Sequence, residues 1–131
     1  MRALDTNVLA RWILSDDVRQ ARTATDLIAS GERFLVPETV LLELAWLLQR
    51  AGMTRSRVRQ TLAGILAEPT FATTDPDSLS EALRHLDAGG DPGDAFHLAS
   101  ARGADAIVTF DADFAKRARK ARARPRVDLI G

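Results

Sequence analysis

Cysteine and tyrosine are both absent from this 131-residue chain, and aromatic residues make up only 5% of it. Without cysteine there is no disulfide framework, no thiolate-ligated zinc and no thiol nucleophile. With so few rings, a platform for stacking nucleic-acid bases has little to be built from. No apolar run approaches the roughly 18 residues needed to cross a bilayer. An acid already at Asp5 leaves no room for the apolar core of a secretory leader. The glycines form neither G-x-x-x-x-G-K-S/T nor G-x-G-x-x-G, so no phosphate loop is encoded. These absences predict a cytoplasmic protein with no membrane partner and no nucleotide-cofactor motif.

What is present is an ordinary globular composition, 46% hydrophobic, of a length suited to one compact domain over residues 1–131. The charges are unevenly spread. The 18 basic and 18 acidic side chains cancel overall, yet residues 116–131 carry seven basic groups and one acid. An acidic body therefore precedes a basic tail, and net neutrality does not exclude a polyanionic partner.

Short β-like runs alternate with longer helical ones. Strands are expected at 1–4, 34–36, 71–73, 106–109 and 127–130. Helices are expected at 8–14, 19–30, 39–51, 56–67, 77–86, 92–102 and 114–122, with caps and breakers such as Gly31, Gly52, Pro69 and Gly103 between them. This alternation predicts an α/β domain of three layers around a parallel sheet.

The acids fall at telling places. Asp5 follows the first strand, Asp111 follows the strand at 106–109, and Asp94 lies in the first turn of the helix beginning at Pro92. Open α/β sheets form their sites beyond the carboxyl ends of the strands. Taken singly, Asp5, Asp94 and Asp111 also suit helix caps and turns. Glu43 stands alone in the apolar run from Val40 to Leu48. A carboxylate in a helix that is apolar all round demands a cation, a metal or donors if it is buried, and taken alone Glu43 equally suits a solvent-facing position. Oxygen ligands without cysteine suit Mg²⁺ or Mn²⁺ better than zinc. An acid-rich metal site with no organic cofactor motif points to hydrolysis of a phosphodiester or phosphomonoester. His97, three residues after Asp94, reads as a partly buried structural residue or as a group near substrate. Trp12 and Trp46 read as core or interface anchors. The basic run Lys116, Arg117, Arg119, Lys120, Arg122, Arg124 and Arg126 reads as a solvated surface or as a rail for a phosphate backbone.

Four stretches together resemble a known family: Leu4-Asp5-Thr6-Asn7-Val8-Leu9, Glu43 in its apolar helix, Asp94-Ala95-Phe96-His97-Leu98-Ala99, and Val108-Thr109-Phe110-Asp111-Ala112-Asp113-Phe114. They resemble PIN domains, most closely the VapC-type ribonuclease toxins of toxin–antitoxin pairs. The resemblance implies an α/β/α fold on a five-stranded parallel sheet of order 3-2-1-4-5. It implies a Mg²⁺- or Mn²⁺-dependent endoribonuclease with Asp5, Glu43, Asp94 and Asp111 as its acidic quartet. Asp5 and Asp94 would be the principal metal ligands, with Glu43 and Asp111 acting directly or through water. Asp113 competes with Asp111 in the fourth motif, and Asp111 lies nearer the strand end. Thr6 and Asn7 would support Asp5. Lys116, Arg117, Arg119 and Lys120 would meet the RNA backbone. A homodimer and a VapB-like antitoxin are the implied partners, with the helices around Trp12 and around Leu42 and Trp46 as candidate antitoxin grooves. Two other readings remain: a phosphatase with Asp5 as nucleophile, weakened by Asn7 where such enzymes often carry a second Asp, and a catalytically inactive binding module of the same fold.

Overall fold

The structure, a computed structural model, describes residues 1–131. The chain divides into two compact units, Met1–Thr74 and Asp75–Gly131. The first unit runs β1 (Arg2–Ala3), α1 (Thr6–Leu14), α2 (Val18–Ile28), β2 (Phe34–Leu35), α3 (Glu38–Arg50), α4 (Arg55–Ala67) and β3 (Phe71–Ala72). The second runs α5 (Pro76–Asp87), α6 (Pro92–Ser100), β4 (Ala106–Thr109), α7 (Ala112–Lys120) and β5 (Arg126–Leu129).

In the first unit the strands form a parallel sheet of order β1-β2-β3, with Arg2 opposite Phe34 and Phe34 opposite Phe71. Each strand is two residues long. The pairing is carried a little further by the Leu4 amide on the Leu35 carbonyl at 2.9 Å and the Val36 amide on the Ala72 carbonyl at 2.8 Å. Pro37 has no N–H to continue the ladder, and its φ of −62° suits the entry to α3. α1 packs on α2 and α3, and α3 on α4. Leu9, Phe34, Val36, Leu41, Leu44 and Leu48 are almost fully buried. Each such aliphatic or aromatic side chain contributes about 1.5–3 kcal/mol by leaving water.

In the second unit α5 packs on α6. The buried Ser78 hydroxyl ties them by donating to the Ala99 carbonyl. β4 and β5 pair in parallel from Ala106 opposite Arg126 to Thr109 opposite Leu129. Leu98, Phe114 and Ala118 form a core against which Ile107, Ala123 and Val127 pack.

Seven helices and five strands thus appear in the expected order. The single five-stranded sheet of order 3-2-1-4-5 does not: the strands pair as a three-stranded and a two-stranded sheet. The physical reason lies in the short strands. Asp5 and Thr6 turn the chain into α1 directly after β1, so β1 offers only two residues for pairing, and the pairing observed is with β2. The first helix also begins earlier than expected, at Thr6 rather than Val8.

Candidate active site

The first unit places Asp5 at the N-cap of α1, in extended conformation with ψ of 159°, yet its side chain makes no capping hydrogen bond. The capping role that the sequence allows is therefore not taken up. Five other helix starts do use an Asp or Thr side chain in this way: Asp17, Thr54, Asp75, Asp91 and Asp111. Next to Asp5, Thr6 is buried, and its hydroxyl donates to Glu43 Oε2 at 3.3 Å. Thr6 thus supports Glu43 by this bond, whereas the sequence reading paired it with Asp5.

Glu43 is exposed, so of the two readings open to it, sealed in an apolar helix or facing solvent, the second is the one observed. α3 buries Val40, Leu41, Leu44, Ala45 and Leu48, while Glu43 and Trp46 lie on its open side. Trp46 is 40% exposed. Trp12 instead packs edge-on against Phe71, with ring centroids 5.5 Å apart, and behaves as an internal anchor. Asn7 is exposed and lines a cavity of about 630 Å³ between α1 and α2.

The second unit holds the other acids. Asp91 caps α6, its Oδ2 accepting from the amides of Gly93 at 2.8 Å and Asp94 at 3.3 Å. That cap fixes the first turn, from which the half-buried Asp94 side chain projects. Asp94, His97, Thr109 and Asp111 line a cavity of about 570 Å³, with Ile107 and Phe114 among its apolar wall. Burial, then the like charges of Asp91 and Asp111, push the Asp94 carboxyl above its usual range; His97 and Arg117 pull the other way. A crowded carboxylate of this kind gains from any added cation.

Asp111 sits at the N-cap of α7, its Oδ1 accepting from the Phe114 amide at 3.0 Å. Its own amide donates to the Thr109 hydroxyl, also at 3.0 Å. Thr109 therefore fixes the turn that presents Asp111. Asp113 is exposed in the first turn of α7, lies outside the cavity lining and is not among the charges that act on Asp94. His97 is exposed at the cavity, so the partly buried structural role considered for it is not taken.

The basic run does not form one rail. Phe114, Ala115 and Ala118 face the core, and at 100° per residue Arg117 and Arg119 fall on opposite flanks of α7. Arg117 is half-buried and acts on Asp94, whereas Lys116, Arg119 and Lys120 are exposed. That Arg117 acts on Asp94 is a tertiary relation that no motif in the sequence carries.

His85 was also passed over. It is fully buried, and neither ring nitrogen has a hydrogen-bond partner. Its ring stands edge-on to Phe114 at 5.6 Å, and a Cβ on Gly90 would lie 2.1 Å from its Cδ2. The Gly89-Gly90 pair closing α5 was the sequence signal for a close approach at this point.

Oxygen donors without cysteine fit a hard divalent cation. Each unit contributes two of the four acids, Asp5 and Glu43 in one, Asp94 and Asp111 in the other. Within neither unit do three or more His, Asp or Glu side chains converge as a complete metal cage.

Comparison with known families settles the class. The PIN domain profile matches residues 2–120. The chain belongs to the PIN domain family. This match spans most of both compact units, and PIN domains are typically nucleases that use divalent metal ions. Searches of curated proteins and of solved structures each gave no match. No helix of this PIN domain is long and apolar enough to cross a membrane.

Proposed function

We propose that this PIN domain is a Mg²⁺- or Mn²⁺-dependent endoribonuclease and the toxin of a VapBC-type pair. It would work in the cytoplasm as a homodimer of one-domain chains, restrained by a VapB-like antitoxin. The observation that carries the reading is Asp94: a half-buried carboxylate, crowded by Asp91 and Asp111, on the wall of an open cavity. Such perturbed acids in clefts mark functional sites more often than structural ones.

Asp5 and Asp94 are the proposed principal ligands, with Glu43 and Asp111 acting directly or through water. A divalent cation, when bound there, supplies Lewis-acid activation of water and of the phosphodiester. The chain itself does the positioning. Thr6 holds the Glu43 carboxylate through Oε2. The Asp91 cap sets the first turn of α6 and with it Asp94. Thr109 receives the Asp111 amide and so orients the start of α7. His97, exposed on the cavity wall beside Asp94, is placed to touch substrate. Lys116, Arg119 and Lys120 present exposed positive charge for phosphate contacts.

Purified protein incubated with labelled RNA tests the reading. Cleavage in Mg²⁺, arrest by EDTA and restoration by Mn²⁺ are expected, with 5′-phosphate and 3′-hydroxyl product ends. Hydrolysis of phosphomonoesters without RNA cleavage would favour the Asp5-nucleophile phosphatase instead. RNA or antitoxin binding with no turnover would favour the inactive module.

A further inference from the structure

Away from the acidic cavity, the end of α7 and β5 enclose a second concavity of about 280 Å³. Arg119, Arg122 and Arg126 line it, with Ala118, Ala123 and Val127 as its apolar floor and Asp128 at its side. We propose that this pocket binds a phosphate group, supplied under the ribonuclease reading by the backbone of bound RNA several contacts away from the scissile bond. It rests on that reading for its ligand, but on its own geometry for its existence.

The first support is the cap at which Arg122 sits. α7 ends in a left-handed cap: the Arg122 amide donates to the Arg119 carbonyl at 3.0 Å and the Ala123 amide to the Ala118 carbonyl at 2.9 Å. α3 and α5 end with the same pair of bonds, and there the left-handed residue is glycine, Gly52 at φ of 95° and Gly89 at φ of 87°. At α7 it is Arg122, at φ of 52°. A side chain at this position is strained relative to glycine. The chain thus keeps an arginine where α3 and α5 use the relaxed residue, though α1 also ends on a left-handed non-glycine residue, Ser15 at φ of 52°, and that arginine lines the pocket.

The second support is Arg126. Its Nε donates to Asp128 at 3.0 and 3.3 Å to the two carboxylate oxygens. A guanidinium has five N–H donors in one plane, so this clamp uses one and leaves the two terminal amino groups oriented as a fork. Planar forks of this kind match the oxygens of phosphate two at a time. Asp128 offsets one of the three cationic charges, and the pocket remains net positive. A compact anion with several oxygens satisfies it; an isolated carboxylate fills it less completely.

Four proteins test this: the wild type, Arg122→Gly, Arg126→Gln and, as a control for loss of one exposed charge, Arg22→Gln on α2, which should leave affinity and slope unchanged. Fluorescence anisotropy with a labelled single-stranded RNA, in EDTA to prevent cleavage, gives affinity and its salt dependence. Losing one phosphate contact on a single strand flattens the slope of log K against log salt by about 0.7 and weakens binding about fivefold near 0.1 M salt. Arg122→Gly and Arg126→Gln should each show that loss, and Arg122→Gly should at the same time melt about 4 °C higher, because glycine relieves the left-handed strain. Unchanged affinity and slope in both pocket variants overturn the proposal, and Mg²⁺-dependent cleavage by the same wild-type sample shows that the ribonuclease reading survives it. Should the wild type not bind RNA, inorganic pyrophosphate is titrated while the Arg122 and Arg126 Nε–H resonances are followed. Saturable shifts then assign a free phosphoanion as the source and sink the RNA reading alone. No shifts sink the pocket as well.

Discussion

Replacing His85 with leucine is expected to stabilise this PIN domain and remove part of its sensitivity to acid. The imidazole is fully buried, with neither Nδ1 nor Nε2 partnered, between Phe114 and Gly90. Leaving buried polar atoms unpaired costs about 1–3 kcal/mol. Leucine fills similar space without them, while forfeiting an edge-on aromatic contact that contributes about 0.5–1.5 kcal/mol. The net gain is about 1 kcal/mol near neutral pH, about 4 °C in melting temperature for a chain of this size. The acid response is more diagnostic. Burial, then the positive charge of Arg117, hold the folded-state pKa of His85 below its ordinary 6.5, against a smaller pull from Asp91. The unfolded chain therefore binds a proton below about pH 6.5 that the folded chain refuses, and stability falls as pH drops through that window. The limit is about 1.4 kcal/mol per pH unit, until the folded-state pKa is reached. Asp94 acts with the opposite sign: its raised folded-state pKa penalises the charged form, and protonation at lower pH relieves that penalty. This second effect is present in wild type and variant alike and cancels in their difference. Urea denaturation of both proteins at pH 7.5 and pH 5.5 reads the difference, expected at up to about 1.4 kcal/mol in favour of the variant at the lower pH. Identical pH dependence, or a variant less stable at both values, would refute the reasoning.

Gly90→Ala should cost about 1–3 kcal/mol or more, since its Cβ would lie 2.1 and 2.2 Å from the His85 ring and 2.8 Å from the His85 carbonyl oxygen; a wild-type denaturation midpoint would contradict this packing. Thr6→Val keeps shape and burial but removes the donor to Glu43, so a stability loss of about 1 kcal/mol is expected together with a larger fractional loss of RNA cleavage. Unchanged cleavage in that variant would deny Glu43 a role that depends on its position. Asp94→Asn should leave melting temperature unchanged or slightly higher, because it removes repulsion from Asp91 and Asp111, while cleavage falls about 100-fold or more.

Much of the element order was legible because local rules agree along this chain. Pro37, Pro76 and Pro92 stand at or beside helix starts, and Gly52 and Gly89 take the left-handed positions at helix ends. Asp5, Asp94 and Asp111 were legible as strand-end and helix-start residues for the same reason, and Glu43 as the one acid inside an apolar helical run. Less was legible where the outcome depends on packing. The apolar run from Val40 to Leu48 does not say which side of α3 stays open, so the sequence leaves Glu43 between a buried and a solvent-facing reading, and the structure gives the second. Ladder length was equally hidden: two-residue strands have too little alternation to reveal which pair, and the one-sheet expectation gave way to two sheets. Capping chemistry explains a subtler failure. Asp5 and Asp111 look alike in sequence, yet Asp111 accepts a backbone amide and Asp5 does not. His85 carried no motif, and its environment is made by Phe114 and Gly90 from other elements.

The charge distribution is sharpened by the fold. The basic residues of α7 divide by helical phase: Arg117 toward the acidic cavity, Arg119 toward the pocket with Arg122 and Arg126, Lys116 and Lys120 outward. One composition-level cluster thus becomes three groups with different neighbours. Arg117 tempers the repulsion at Asp94, so its removal should raise that carboxyl's pKa further.

Under the proposed function, divalent metal held by these carboxylates drives RNA cleavage. Its most direct test is a single-turnover assay with 5′-labelled RNA, comparing wild type, Asp5→Asn and Asp94→Asn in Mg²⁺ after matched folding has been verified by circular dichroism. Mg²⁺-dependent cleavage by the wild type and its loss in both variants are expected. Wild-type rates in either folded variant, or cleavage that persists in EDTA, would contradict it.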